Sequence, residues 1–225
     1  MTKVKICGIT NLGDAMKACD LGADFLGFIF VKGTPRVVDK GTVKEIVNLA
    51  SWESEAHHKP ALVGLFKNED LKKVAEIVIS CGLDHVQLHG DESPDYCAKL
   101  KNKVWVDGDV RIKVIKVFKV KEEIKTIGKY SIGDYEKTDF FVFDTYHPEV
   151  AGGTGKKFNW EALNREKERI NKPFFIAGGL NPENVSEAVK TVSPYGVDVS
   201  SGVEKAPGVK DEKLLKEFIE NAKKA

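Results

Sequence analysis

The sequence has no long apolar run, no block of like charge and few cysteines, and each absence excludes a class of protein. Its longest unbroken apolar stretches, such as residues 28–31, are far too short to span a bilayer. Lysine and arginine (35 residues) balance aspartate and glutamate (34 residues), which leaves a net charge of +1. Because no basic run interrupts this balance, we expect neither nucleic acid nor a membrane surface as a partner.

The few cysteines and histidines show no metal-binding pattern. No two of the four cysteines, Cys7, Cys19, Cys81 and Cys97, form a C-x-x-C pair, which argues against a zinc or thioredoxin-type site. The pair at residues 57–58 (His-His) has no further ligand at a suitable spacing. The opening residues MTKVKICGIT enter a strand pattern directly and lack the apolar core of a signal peptide. We therefore expect a cytoplasmic protein without a metal, whose thiols stay reduced.

What the sequence does contain is an alternation of strands and helices along its 225 residues. Between the strands, apolar residues recur at helical spacing, and each helix so formed has one apolar face. Continuously apolar strands joined by helices indicate a parallel sheet covered on both faces. Eight such units predict one (β/α)8 TIM barrel domain spanning residues 1–225, with an open doubly wound sheet as the alternative. The predicted strands are Val4–Cys7, Phe25–Phe30, Ala61–Phe66, His85–Leu88, Ile112–Phe118, Phe140–Asp144, Phe174–Ala177 and Gly196–Val199.

Local signals mark three helix starts and leave one segment ambiguous. Ser93-Pro94 and Asn181-Pro182 each place a capping residue before a proline at the first helical position, and Asp211 is a candidate cap for the last helix. The segment Lys103–Val110 is predicted to extend the fifth strand or to form a short hairpin before it.

The candidate functional residues follow the strands at their carboxyl ends, where active sites of such barrels lie. Gly178, Gly179, Ser201 and Gly202 come after the seventh and eighth strands, which is the usual phosphate site of this barrel. They predict a small phosphorylated substrate, although tight turns alone would also explain the glycines. A glycine-rich segment at residues 151–156 has neither P-loop nor dinucleotide-binding spacing and is interpreted as a lid.

Two further side chains at this rim suggest proton transfer. Cys7 and Asp144 end the first and sixth strands, so they are a candidate base and acid on opposite sides of the barrel mouth. A thiol near its ordinary pKa is mostly protonated at pH 7, and Lys5, on the same face of its strand, is a candidate source of positive charge. His89 lies at the same rim, where a substrate contact and a structural role are both open.

Segments from end to end resemble the phosphoribosylanthranilate isomerase family of tryptophan biosynthesis. They include VKICGIT (4–10), VQLHGDE (86–92), FDTYHPEVAGGTGKKFNW (143–160), AGGLNPENV (177–185) and VDVSSGVEKAPGVKD (197–211). The resemblance implies an Amadori rearrangement without cofactor or metal. Whether the chain is a monomer or a homodimer stays open. The family's general base matches Cys7 and its general acid matches Asp144.

The resemblance also assigns the substrate contacts. Arg36 matches a residue that meets the anthranilate carboxylate, and a planar guanidinium suits that anion. Asp198 would contact substrate hydroxyls or the amine, and the four residues of the phosphate site would hold the phosphate. Thr34 and Val37 depart from the family's usual residues beside Arg36, which concerns the shape of the anthranilate pocket rather than the reaction.

Two other functions stay open at this point. One is a related phosphosugar isomerase of histidine biosynthesis. Such enzymes have a two-aspartate pattern, with Asp where this chain has Cys7, so the thiol counts against this alternative. The other is a non-catalytic barrel that binds a phosphorylated metabolite. Binding alone would require neither Cys7 nor Asp144, which counts against this second alternative.

Overall fold

Eight parallel strands form a closed barrel in which every strand pairs with its neighbours in sequence and β8 pairs with β1. The computed structural model describes residues 1–50, 59–120, 124, 126–144 and 160–225. Closure confirms the predicted TIM barrel and rules out the open sheet. The strands lie within a residue of their predicted bounds: β1 Lys3–Cys7, β2 Phe25–Ile29, β3 Ala61–Phe66, β4 His85–Leu88, β5 Lys113–Lys119, β6 Phe140–Asp144, β7 Phe174–Ala177 and β8 Gly196–Val199.

Alternation along the strands divides their side chains between two apolar layers. On β6, for example, Phe141 and Phe143 pack outward against the helices, whereas Phe140 and Val142 fill the barrel interior. Both sets are buried, which is why the strands are continuously apolar in sequence. The same alternation places Cys7 and Asp144 inward at the carboxyl ends of their strands.

Seven α-helices surround the barrel within the described residues. Five of them begin at a side chain that accepts a hydrogen bond from the first turn: Asn11, Asp39, Asp70, Ser93 and Asp211. The caps predicted at Ser93 and Asp211 are thus confirmed. The helices are α1 Leu12–Asp20, α2 Lys40–Leu49, α3 Leu71–Cys81, α4 Pro94–Gly108, α5 Trp160–Glu166, α6 Val185–Val192 and α7 Glu212–Lys224.

Three local predictions are wrong. Residues 103–108 continue α4 instead of forming a strand, because Val104 packs into the core while Trp105 and Val106 face outward, as on a helix. Helix α6 starts three residues after Pro182, because the Asn181 side chain accepts from the backbone of residues 183 and 184 and closes a turn there. Between β5 and β6 the described residues contain a short 3-10 turn, Ile132–Asp134, and no α-helix.

A short antiparallel hairpin follows β8 and leads into α7. Its strands are β9 Glu204–Ala206 and β10 Val209–Lys210. Thr10 donates a hydrogen bond to the carbonyl of Gly208 at 2.5 Å, which holds the hairpin tip beside the end of β1. The hairpin therefore lies next to the mouth of the barrel. None of the described helices is both long and apolar enough to cross a lipid bilayer.

Candidate active site

A pocket of about 630 Å³ opens at the carboxyl ends of the barrel strands. This volume lies within the ~300–1,000 Å³ typical of small-molecule sites. All nine predicted site residues line it: Cys7, Arg36, His89, Asp144, Gly178, Gly179, Asp198, Ser201 and Gly202. The structure thus brings together residues that are up to 195 positions apart (202 − 7) in one cavity.

Cys7 lies at the edge of the pocket beside two buried charges. Its exposed fraction is 5%, and that of Lys5 is zero. A methyl group on Gly27 would lie 2.8 Å from Cys7 Sγ and 3.2 Å from Lys5 Nζ, so only glycine allows both side chains to approach β2 here. Lys5 Nζ donates to both carboxylate oxygens of Asp198 at 2.9 Å. The inward orientation predicted for Lys5 is confirmed.

Burial and charge act in opposite directions on the Cys7 thiol. Burial raises the pKa of Cys7 above its ordinary value, and the negative charge of Asp198 raises it further. Lys5 and Lys210 lower that pKa, but not enough to cancel the burial. The pKa of Lys5 is raised, because Asp198 and Cys7 outweigh its burial, so Lys5 stays cationic at neutral pH. The thiolate therefore depends on this lysine for much of its stability.

Asp144 lies close to His89 in the wall of the pocket. The distance from His89 Nε2 to Asp144 Oδ2 is 3.5 Å, and both side chains are partly exposed to the cavity. A buried lysine fixes the loop that carries His89, since Lys116 Nζ donates to Gly90 O at 2.7 Å and to Glu92 at 2.8 Å. His89 follows β4 and Lys116 lies on β5, so these two strands together determine the position of the histidine relative to Asp144.

Arg36 is held at the rim by an ion pair that spacing in sequence gave no reason to expect. Its Nε and terminal nitrogen donate to the two carboxylate oxygens of Glu204 at 2.7–3.1 Å. Lys210 donates to the same carboxylate at 2.8 Å and to Cys7 O at 2.6 Å. Arg36 and Lys210 lower the pKa of Glu204 although its burial acts in the opposite direction. The guanidinium is therefore oriented with one edge on Glu204.

The glycines after β7 and β8 turn the backbone around the remaining end of the pocket. Gly178 and Gly179 have φ values of 92° and 64°, which favour glycine at both positions. A Cβ at Gly202 would overlap the carbonyl oxygen of Leu180, so the two loops approach each other more closely than any larger residue would allow. Such glycine-rich backbone can come close to an anion.

Sequence reasoning missed several residues that complete the site. Glu204 and Lys210 look like ordinary charges in a polar segment, and only the fold brings them to Arg36 and Cys7. Gln87 and Ser200 also line the pocket, and each has a buried side-chain oxygen without a partner among the described residues. Their inward positions follow from strand alternation, which was the available signal.

Two predictions lie outside the described residues. They are the lid at 151–156 and the histidine pair at 57–58. The described part of the chain contains no group of three or more His, Cys, Asp or Glu residues arranged to hold a metal ion.

Comparison with known proteins connects this geometry to one family. The family model for N-(5'-phosphoribosyl)anthranilate (PRA) isomerase matches residues 4–221. The chain belongs to this family. It is 45% identical over 223 residues to N-(5'-phosphoribosyl)anthranilate isomerase of Aquifex aeolicus, with 99% of each chain covered. It is 44% identical over 225 residues to the Trichlorobacter lovleyi enzyme of the same name, with 100% of each covered.

Solved structures of PRA isomerases share the fold over their full length. The Thermotoga maritima enzyme superposes with a TM-score of 0.81 at 37% identity, with 100% of each chain covered. Another PRA isomerase, at a TM-score of 0.78 and 32% identity over 100% of both chains, is in complex with reduced 1-(o-carboxyphenylamino)-1-deoxyribulose 5-phosphate. The resemblance found in the sequence motifs is confirmed.

Proposed function

We propose that the protein is a ketol-isomerase of tryptophan biosynthesis. It converts N-(5'-phosphoribosyl)anthranilate to 1-(2-carboxyphenylamino)-1-deoxyribulose 5-phosphate by an Amadori rearrangement. Membership of the PRA isomerase family supports the reaction, as does the related enzyme's complex with a reduced form of this product. The observation that carries the proposal is a single pocket in which Cys7 and Asp144 face the same cavity in a chain of this family.

Asp144 acts as the general acid. It donates a proton to the ribose ring oxygen, and the bond from C1′ to that oxygen breaks with its electron pair left on oxygen. A Schiff base forms between C1′ and the anthranilate nitrogen. His89, 3.5 Å from the carboxylate, holds Asp144 in position and can contact the opened sugar.

Cys7 acts as the general base in the second half of the reaction. Its thiolate removes the proton from C2′, and the released electron pair forms the enolamine, which tautomerises to the ketone. The proton that Cys7 gains balances the one that Asp144 loses, so the net reaction is an isomerisation. Lys5 and Lys210 favour the thiolate, because both lower the Cys7 pKa.

The remaining site residues bind the two anionic ends of the substrate. Arg36, oriented by Glu204, meets the anthranilate carboxylate with the part of its guanidinium that Glu204 leaves free. Gly178, Gly179, Ser201 and Gly202 hold the phosphate. Asp198 contacts substrate hydroxyls or the amine. The mechanism assigns no step to a metal or cofactor.

The proposal also covers the domain organisation, the location and the oligomeric state of the protein. Residues 1–225 form one barrel domain that works in the cytoplasm on a small phosphorylated substrate. A dimeric PRA isomerase is known from Thermotoga maritima, and a homodimer or a monomer is proposed for this chain.

A fluorescence assay tests the reaction and both proton-transfer roles. Consumption of N-(5'-phosphoribosyl)anthranilate is followed with wild type, Cys7→Ala and Asp144→Asn. Cys19→Ala, a buried thiol on α1 away from the pocket, is the matched control. We expect kcat to fall roughly 10²–10⁴-fold in the two site variants, with binding of the reduced product analogue retained, and to stay near wild type in the control.

Other outcomes would change the proposal in different ways. An active wild type with unaffected site variants would keep the substrate and reject the roles of Cys7 and Asp144. No turnover by wild type, with analogue binding intact, would favour a metabolite-binding barrel or a related phosphosugar substrate.

A further inference from the structure

Gln87 lies inside the barrel one layer below His89, at the floor of the pocket. Strand alternation points it inward, between His85 on the same face of β4 and His89, which follows the strand. Its exposed fraction is 1%. The side-chain oxygen Oε1 is buried and has no hydrogen-bond partner among the described residues. Lys5, by contrast, donates to Asp198.

The two residues in register with Gln87 offer this oxygen no side-chain donor. Gln87 is in register with Leu65 on β3 and with Ile115 on β5, and both side chains are apolar and buried. A buried acceptor without a partner destabilises the folded protein, because it has given up its hydrogen bond to water. Gln87 lines the open pocket, whereas His85, which also carries an unpartnered atom, lies deeper in the barrel and does not line it. The donor that Gln87 lacks can therefore come from a molecule bound in the pocket.

We propose that Gln87 is a substrate-binding residue that accepts a hydrogen bond from a hydroxyl or amine group of the phosphosugar. This proposal rests on the function proposed above, because that substrate carries both ribose hydroxyls and a secondary amine. An amide suits the position because it accepts a hydrogen bond without adding a negative charge. A carboxylate at the pocket floor would add to the effect of Asp198, which already raises the Cys7 pKa.

The variant Gln87→Met tests the proposal because methionine keeps the length of the side chain and removes the acceptor. We expect kcat/KM to fall about tenfold and the Kd of the reduced product analogue to rise about tenfold, the effect of losing one hydrogen bond. The melting temperature should stay level or rise, since an unpartnered buried oxygen is removed. His85→Leu, an inward residue of the same strand outside the pocket, is the matched control and should keep Kd and kcat/KM within about twofold.

The outcomes separate this inference from the proposed function. Gln87→Met with Kd and kcat/KM within about twofold of an active wild type would overturn the role of Gln87 alone. A wild type that neither turns over the substrate nor binds the analogue would overturn the proposed function. If Gln87→Met does not fold, a crystal structure of wild type with the analogue decides. Gln87 Oε1 within about 3.2 Å of a ligand nitrogen or oxygen is expected, and no ligand donor within hydrogen-bond distance would reject the proposal.

Discussion

Cys7 gains its chemical character from three residues that surround it rather than from its own position in the sequence. Burial and Asp198 raise the pKa of its thiol, whereas Lys5 and Lys210 lower it. Lys5 is fully buried and keeps its charge because Asp198 accepts from it at 2.9 Å. At the scale of single residues, the base is thus part of a buried group of charges, and each member affects how readily a thiolate forms.

We predict that Lys5→Met raises the Cys7 pKa further and lowers kcat/KM at pH 7. The variant removes the cation that favours the thiolate and leaves the opposing charge of Asp198 in place. Thiolate absorbance at 240 nm, measured against pH with Cys7→Ala subtracted, should move to higher pH, and so should the rise of kcat/KM. Lys3→Met, a half-exposed lysine at the start of the same strand whose partner is Asp24, is the control. An unchanged thiol titration in folded Lys5→Met would contradict the prediction.

At the scale of elements, the short strand β4 contributes side chains to successive layers of the barrel interior. Its inward residues are His85 and Gln87, and its outward residues Val86 and Leu88 pack against the helices. His89, one residue past the strand, continues the inward face to the rim of the pocket. The ring of His85 packs edge-on against Phe25, with the centroids 5.4 Å apart. Burial lowers the pKa of His85 to about 4. The inner end of this strand therefore favours a neutral imidazole.

Acid should destabilise the protein through His85. Asp84 and Asp139 raise its pKa and Lys113 and Lys5 lower it, but burial dominates, so the folded chain takes up this proton only near pH 4. An unfolded chain takes it up near pH 6.5 and is favoured below that pH. We expect His85 to cost about 2 kcal/mol of the free energy of unfolding between pH 7 and pH 5. Urea unfolding of His85→Leu should show that much less acid sensitivity than wild type, and equal sensitivity would refute the assignment.

At the scale of the whole molecule, the two ends of the chain close the barrel and complete the site together. Strand β1 pairs with β8, and Lys210, from the hairpin after β8, donates to the carbonyls of Cys7 and Ser200 and to Glu204. Burial lowers the pKa of Lys210 while Glu204 opposes that effect. One buried lysine thus joins the first strand, the last strand and the ion pair that orients Arg36.

Loss of this lysine should weaken both the fold and the site. Lys210→Met removes the donor of the carbonyls of Cys7 and Ser200 and one of the two cationic partners of Glu204, and breaking a buried pair costs about 3–5 kcal/mol. Chemical denaturation should show a loss of that size. Lys213→Met, whose contact with Glu217 is exposed and 3.9 Å long, should change stability by less than about 1 kcal/mol. Equal effects of the two substitutions would show that Lys210 has no special role in closure.

Much of the fold follows from local patterns, and the errors occur where local patterns compete. Strand bounds were predictable because each strand is a short apolar run between polar segments. The strand predicted at residues 103–110 was wrong because the consecutive apolar residues Val104, Trp105 and Val106 resemble a strand. Only the packing shows that, of these three, Val104 alone faces the core. Between β5 and β6, Ile127 and Tyr130 pack against the core, although the described residues of this segment form no α-helix.

The sequence by itself determined the eight strands, their alternation with helices, the family and the nine candidate residues, because those features depend on short motifs and on periodicity. Only the tertiary structure decided which charges face one another. The ion pairs of Lys5 with Asp198 and of Arg36 with Glu204 join residues 193 and 168 positions apart. The unpartnered oxygen of Gln87 likewise depends on which side chains the adjacent strands present. Such long-range contacts follow from strand register and barrel closure, which no local window of sequence contains.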